Sequence, residues 1–253
     1  MNSWRKHPFR VAGRLIWLGG ELSLSALNYA VHCAAGPRDA LPAARARWLQ
    51  TSSRRLLRVF RVEIESTGNI PSSGLLVCNH LSYLDILVLS ALAPCVFVAK
   101  REVKQWPVFG WFAKLAGTVF VHREQRQQAA LAVSEIEAAL QAGVLVVLFP
   151  EGTSSGGETV LPFKSSLLEP ATRQAYSLTA ALLRYELGDG DVSEEVCYWK
   201  DMTLLPHLIN LCSKNAVQAS VNLSPLREGS PDRKQLAIQL HAEVLRMKHA
   251  TAF

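Results

Sequence analysis

Four short apolar runs recur between Leu75 and Phe149: LLVCN (75–79), CVFVA (95–99), TVFVH (118–122) and VLVVLF (144–149). Each is five or six residues long and rich in β-branched and aromatic side chains. That is too short for an apolar helix and the right length for a strand buried on both faces. Helix-like segments separate them. Asp85 to Leu92 stops near Pro94, the stretch 104–116 is punctuated by Pro107, Gly110 and Gly117, and Gln125 to Ala142 ends at Gly143. VEIES (62–66) reads as an earlier strand, followed by the turn GNIPSSG (68–74). SLTAALLRYEL (177–187) and AVQASVNLSP (216–225) read as later strands, and Thr203–Cys212 and Asp232–Lys248 as helices. Strands that alternate with helices imply an α/β fold, with a mixed, largely parallel sheet flanked by helices.

The first 61 residues are different. They hold eleven Lys/Arg against Glu21 and Asp39, a local charge of +9 in a chain whose total is +6. Leu15 to Ala35, LIWLGGELSLSALNYAVHCAA, is long and apolar but interrupted by Glu21, Asn28 and His32. Basic residues flank it on both sides, whereas a single membrane crossing favours them on one. Two helices, roughly 4–35 and 40–60, lying in or dipping into a membrane interface fit this pattern, with a transmembrane first helix as the alternative. The segment is too apolar for a nucleic-acid arm, so anionic lipid is the expected partner and nucleic acid is not. The division expected is 1–61 as membrane-associating helices and 62–253 as the chemical domain. Five cysteines at 33, 78, 95, 197 and 212, without a CxxC, suggest neither a disulfide framework nor a zinc site, and fit a reducing compartment.

Chemistry-bearing residues cluster where strands end. NHLSYLD, Asn79 to Asp85, begins at the end of LLVCN, and open α/β sheets bind ligands at strand ends. A turn there can set the Asp85 carboxylate against one nitrogen of His80, leaving the other nitrogen as a base. The plainer alternative is local capping, with His80 a loop residue. FPEGTSSGG, Phe149 to Gly157, follows the last of the four runs. Its GTSSG formally matches the G-x-S-x-G of a serine hydrolase, with Ser154 as nucleophile. Against that, Pro150 and Glu151 intervene after the strand, GGETVLPFK does not look helical, and no HGGG-type oxyanion segment precedes it.

NHLSYLD, the AKREVKQWPVFGWFAKLAGTVFVHR segment (99–123) and FPEGT (149–153) occur in that order. Together they resemble the glycerolipid acyltransferase family, the bacterial lysophosphatidic acid acyltransferases and their relatives, most strongly over 75–169. The resemblance implies transfer of a fatty acyl group from acyl-CoA or acyl-ACP, as co-substrate, to the hydroxyl of a lysolipid, with no metal or redox cofactor. It implies that His80 and Asp85 are the catalytic pair, that Lys100 and Arg123 hold an anionic head group, and that Glu151, Gly152 and Thr153 form the acceptor-binding turn. Trp106, Phe109, Trp111 and Phe112 line an acyl groove, touch lipid or pack in the core. It further implies membrane lipid biosynthesis at the cytoplasmic face of the cell membrane. The family usually reads FPEGTRS, and here Ser154 replaces the Arg. Either Lys100, Arg123 or Lys164 compensates, or the acceptor lacks a phosphomonoester. PEGTSSGGETVLPFKSSL and YWKDMTLLPHL (198–208) look more like the branch acylating lyso-ornithine lipids. A membrane-binding protein without catalysis is the third alternative; it explains the basic N-terminus but not three ordered motifs.

Overall fold

The computed structural model describes residues 7–34, 40–121 and 126–250. Arg123 and Gln125 therefore lie outside the described residues. Seven strands form one sheet in the order β1-β7-β6-β2-β5-β3-β4. They are β1 (Val62–Thr67), β2 (Gly74–Cys78), β3 (Cys95–Lys100), β4 (Val119–Val121), β5 (Leu145–Leu148), β6 (Leu178–Leu187) and β7 (Val217–Leu226). All neighbours run parallel except β6 and β7. The expected mixed, largely parallel sheet is what the chain builds.

The four apolar runs form its interior because both faces are covered. Alternate residues enter different cores: Leu76, Cys78, Phe97, Val147 and Leu183 face one layer, and Leu75, Val77, Val96, Val146 and Leu182 the other. The first layer holds α1 (Pro8–Tyr29), α2 (Leu41–Phe60), α3 (Leu84–Leu92) and α8 (Leu204–Ser213). The second holds α5 (Arg126–Gln141), the one-turn α6 (Glu169–Arg173) and α9 (Arg233–Ala250).

One detail sharpens the sequence expectation and one departs from it. The helical stretch 104–116 is broken at Pro107, as its punctuation implied. A 3₁₀ turn, Arg101–Gln105, and α4, Phe109–Leu115, are separated at Pro107, and Val108 sits at φ 62°. Short α6 and α7 (Val192–Glu195) had no signal, because a single turn cannot display a 3.6-residue period.

Several of the described N-terminal arginines have partners inside the protein. Arg14, 7% exposed, donates to the carbonyls of Cys212, Lys214 and Asn215 at 3.1, 2.5 and 3.2 Å, and Arg10 to that of Ser213 at 2.9 Å. Cys212 and Ser213 carry orphan carbonyls of the last turn of α8, and Lys214 and Asn215 follow directly at and past its cap, so the cations also meet the negative end of the helix. Arg54 does the same for Ala91 at the end of α3, at 2.8 Å. Arg14→Met keeps the packing stem and strands three carbonyls. It is expected to cost about 2–3 kcal/mol, read as a lower denaturant midpoint. Among the described residues, no helix is long and apolar enough to cross a membrane.

Candidate functional site

Register explains why two distant motifs meet. In the parallel pair β2/β5, Val77 lies opposite Leu148. His80 and Glu151, each three residues further on, therefore emerge level at the carboxyl edge of the sheet. There Glu151 Oε1 accepts the backbone N–H of His80 at 3.2 Å, and the His80 imidazole stacks on Phe149 with centroids 4.2 Å apart.

The His80–Asp85 contact is made through the turn into α3. Asp85, in the first turn of that helix, is fully buried. Its Oδ2 accepts from His80 Nδ1 at 2.7 Å and from the backbone N–H groups of Leu81 and Ser82 at 2.7 and 3.0 Å. Its Oδ1 accepts the Tyr185 hydroxyl at 2.8 Å. Four donors on two oxygens leave the carboxyl as an acceptor, so Nδ1 carries the His80 proton and Nε2 presents its lone pair. Tyr185 was not anticipated from sequence. It shares a face of β6 with Ala181 and Leu183, but only the pairing of β6 with β2 brings that face beneath Asp85.

The His80 side chain is 22% exposed and opens into a cavity of about 290 Å³. Its walls are mainly apolar, running from Phe97 and Trp106 past Phe109 and Phe112 to Trp48 and Leu22 beneath the N-terminal helices. Trp111 is half exposed and lies outside it. The hydrogen bond from Tyr83 to His207 Nδ1, at 3.0 Å, holds the Tyr83 ring in one wall.

The predicted acceptor turn divides. Gly152, at φ 73°, and Thr153 line the cavity beside His80, as does exposed Lys100 at the end of β3. A left-handed conformation at 152 suits glycine. Glu151 belongs to the turn but does not line the cavity. It is 2% exposed and turned inward to the His80 amide. Burial pushes its pKa to about 8, despite the opposing hydrogen bonds from the His80 and Leu161 backbones. Ser154 donates its hydroxyl to the Tyr198 carbonyl. No helix follows it before α6. His207 and His241 bond to the carbonyls of Cys197 and Val160, so neither serves Ser154. The turn lacks the parts of a nucleophile elbow.

Sheet, strand-end histidine and apolar cavity are those of an acyl-transferring enzyme, and comparison with known proteins agrees. The Acyltransferase family model matches residues 61–181. The lyso-ornithine lipid O-acyltransferase of Brucella abortus is 38% identical over 205 residues, 73% of this chain and 75% of that protein. The enzyme of the same name from Rhizobium meliloti is 35% identical over 191 residues, 70% of this chain and 65% of that protein. The crystal structure of the 1-acyl-sn-glycerophosphate acyltransferase of Thermotoga maritima superposes with a TM-score of 0.68 at 17% identity, over 97% of this chain and 98% of that one. The chain belongs to the acyltransferase family.

Proposed function

We propose that this protein is a lysolipid O-acyltransferase of membrane lipid biosynthesis, moving a fatty acyl group from acyl-ACP or acyl-CoA to a lysolipid hydroxyl. The favoured acceptor is of the lyso-ornithine type. The observation that carries this is His80 Nε2, held by Asp85 at the wall of an apolar cavity that Gly152 and Thr153 share. In this reaction the acceptor hydroxyl attacks the thioester carbonyl while Nε2 takes its proton. The tetrahedral intermediate collapses, the C–S bond breaks, and the imidazolium returns the proton to the leaving thiolate. Asp85 stabilises the imidazolium between these steps. A thioester is already activated, so no metal or redox cofactor and no acyl-enzyme is required.

Lys100 and Arg123 hold the anionic head group in this scheme, and the acyl chain occupies the cavity. Residues 1–61 dock on the cytoplasmic face of the membrane, and 62–253 carry the chemistry. Phe9, Ile16, Leu24, Leu27 and Val31 support that docking. All are exposed and recur on one side of α1 and its continuation, the placement of an interfacial helix.

The test is a membrane-fraction assay with labelled acyl donor, offering lyso-ornithine lipid and lysophosphatidic acid in parallel. Acylated ornithine lipid is the expected product. Product from lysophosphatidic acid alone would overturn the acceptor assignment, and no product from either would overturn the function. A fluorophosphonate probe is expected to leave Ser154 unlabelled.

A further inference from the structure

The acceptor turn contains no cation: Pro150 to Gly157 reads PEGTSSGG. Lys100 lines the cavity beside that turn, and a head group carrying a carboxylate or phosphate is held more firmly by a second cation nearby. Across the turn lies a second segment, Tyr198–Lys200, the start of the YWKDMTLLPHL stretch, whose side chains had no role legible in the sequence. Two hydrogen bonds clamp Tyr198 in place. Its N–H donates to the Leu81 carbonyl at 2.8 Å, and its carbonyl accepts the Ser154 hydroxyl. The first bond ties it to the loop of His80 and the second to the acceptor turn. Its ring lines the same cavity as His80, Gly152 and Thr153 and packs edge-on to Tyr83 and Trp106.

Trp199 is fixed just as closely. Its indole N–H donates to the Ser193 carbonyl at 2.9 Å, and the ring lies flush on Gly156, where an added Cβ would come within 2.7 Å of it. The missing side chain at 156 therefore seats the indole against the acceptor turn. Lys200 then adopts φ 53°, a conformation non-glycine residues rarely take, and its ammonium stands 3.7 Å from the centre of the Trp199 ring. Residues held in sparsely populated conformations by their surroundings cluster at ligand sites. Here such a conformation folds an exposed cation back over an indole that rests on the turn.

We infer that Tyr198–Lys200 is a strap completing the acceptor site, in which Lys200 contacts the anionic group of the acceptor head and Ser154 holds the strap closed. This rests on the acyltransferase function proposed above and names the residues that select its acceptor. Ser154 then has a role of its own: its hydroxyl holds the Tyr198 carbonyl, and the strap supplies the charge.

Steady-state kinetics with the full-length protein in neutral detergent micelles tests it, using lyso-ornithine lipid and lysophosphatidic acid as separate acceptors. Binding of each lysolipid is measured alongside by titration calorimetry without donor. Lys200→Ala is expected to raise the acceptor KM and Kd about tenfold to a hundredfold for whichever lysolipid is used, with donor KM unchanged. Lys200→Arg is expected to stay within about threefold of wild type, because it keeps the charge. Ser154→Ala is expected to raise acceptor KM about threefold to tenfold by freeing the strap. An acceptor KM and Kd within twofold of wild type in Lys200→Ala would overturn the strap while leaving the function intact, as would a rise in donor KM alone. Absence of both binding and turnover with either lysolipid in wild type would overturn the two together. Lys200 is exposed, so the variant's fold is not at risk.

Discussion

Replacing His80 with alanine is expected to lower kcat for acyl transfer by roughly 10³-fold while leaving the acceptor KM within a fewfold of wild type. The argument is geometric. Asp85 has four donors and no freedom, so the imidazole has one tautomer and one orientation. Among the described residues nothing bonds to Nε2, and it faces the cavity. Removing the ring removes the only base that the described residues aim there, and leaves Lys100, Gly152 and Thr153 where they were. Asp85→Asn should be about as damaging for a different reason. The amide would turn an NH₂ toward at least one donor on a fully buried oxygen pair, and His80 would no longer be held with its proton on Nδ1. The two losses should not add, because each disables the same proton transfer. Single-turnover acyl transfer by each single variant and by the pair, with circular dichroism to confirm folding, measures this. A His80→Ala enzyme within tenfold of wild type would remove His80 as the base.

Much of this site was legible because its key groups are close in sequence. His80 and Asp85 lie five residues apart across one strand-to-helix turn, and the strand before them is recognisable from LLVC alone. The strands and most helices were legible for the same reason, since hydrophobic period is a local property. What the sequence concealed is whatever depends on which strand lies beside which. Tyr185 reaches Asp85 from a residue a hundred positions away, and the order β6-β2-β5 that brings it there has no local signature. The basic N-terminus illustrates a second kind of concealment. Its charge was countable, but Arg10, Arg14 and Arg54 bind the carbonyl ends of α8 and α3, destinations that composition does not encode. Ser154 illustrates a third. A serine between glycines suggests a nucleophile until its long-range partner, the Tyr198 carbonyl, is known.

Glu151 should make the protein less stable as pH rises from about 5 to 8, and Glu151→Gln should abolish that dependence. In the unfolded chain its carboxyl titrates near the ordinary value of 4.5, and in the folded protein burial raises it to about 8. Between those values the folded state holds a proton that the unfolded state has lost. Stability therefore falls with increasing pH across the window and levels off above it. The full shift corresponds to on the order of 5 kcal/mol, of which about 2–3 kcal/mol lies between pH 6 and pH 9. Glutamine mimics the protonated acid. Its carbonyl can still accept the His80 N–H, the bond that sets the level of the imidazole beside Phe149. Its amide also brings no charge to the other oxygen's position, where the buried Oε2 has no hydrogen-bond partner. Glu151→Gln should accordingly retain most of the activity, whereas Glu151→Ala, which strands the His80 N–H in a buried site, should lose much of it. Denaturant midpoints of wild type and Glu151→Gln at pH 6 and pH 9 decide the matter. Wild type should lose about 2–3 kcal/mol relative to the variant across that interval. Parallel slopes would mean that the carboxyl is already ionised in the folded protein at pH 6, and that its place beside His80 is stabilised as an anion rather than as an acid.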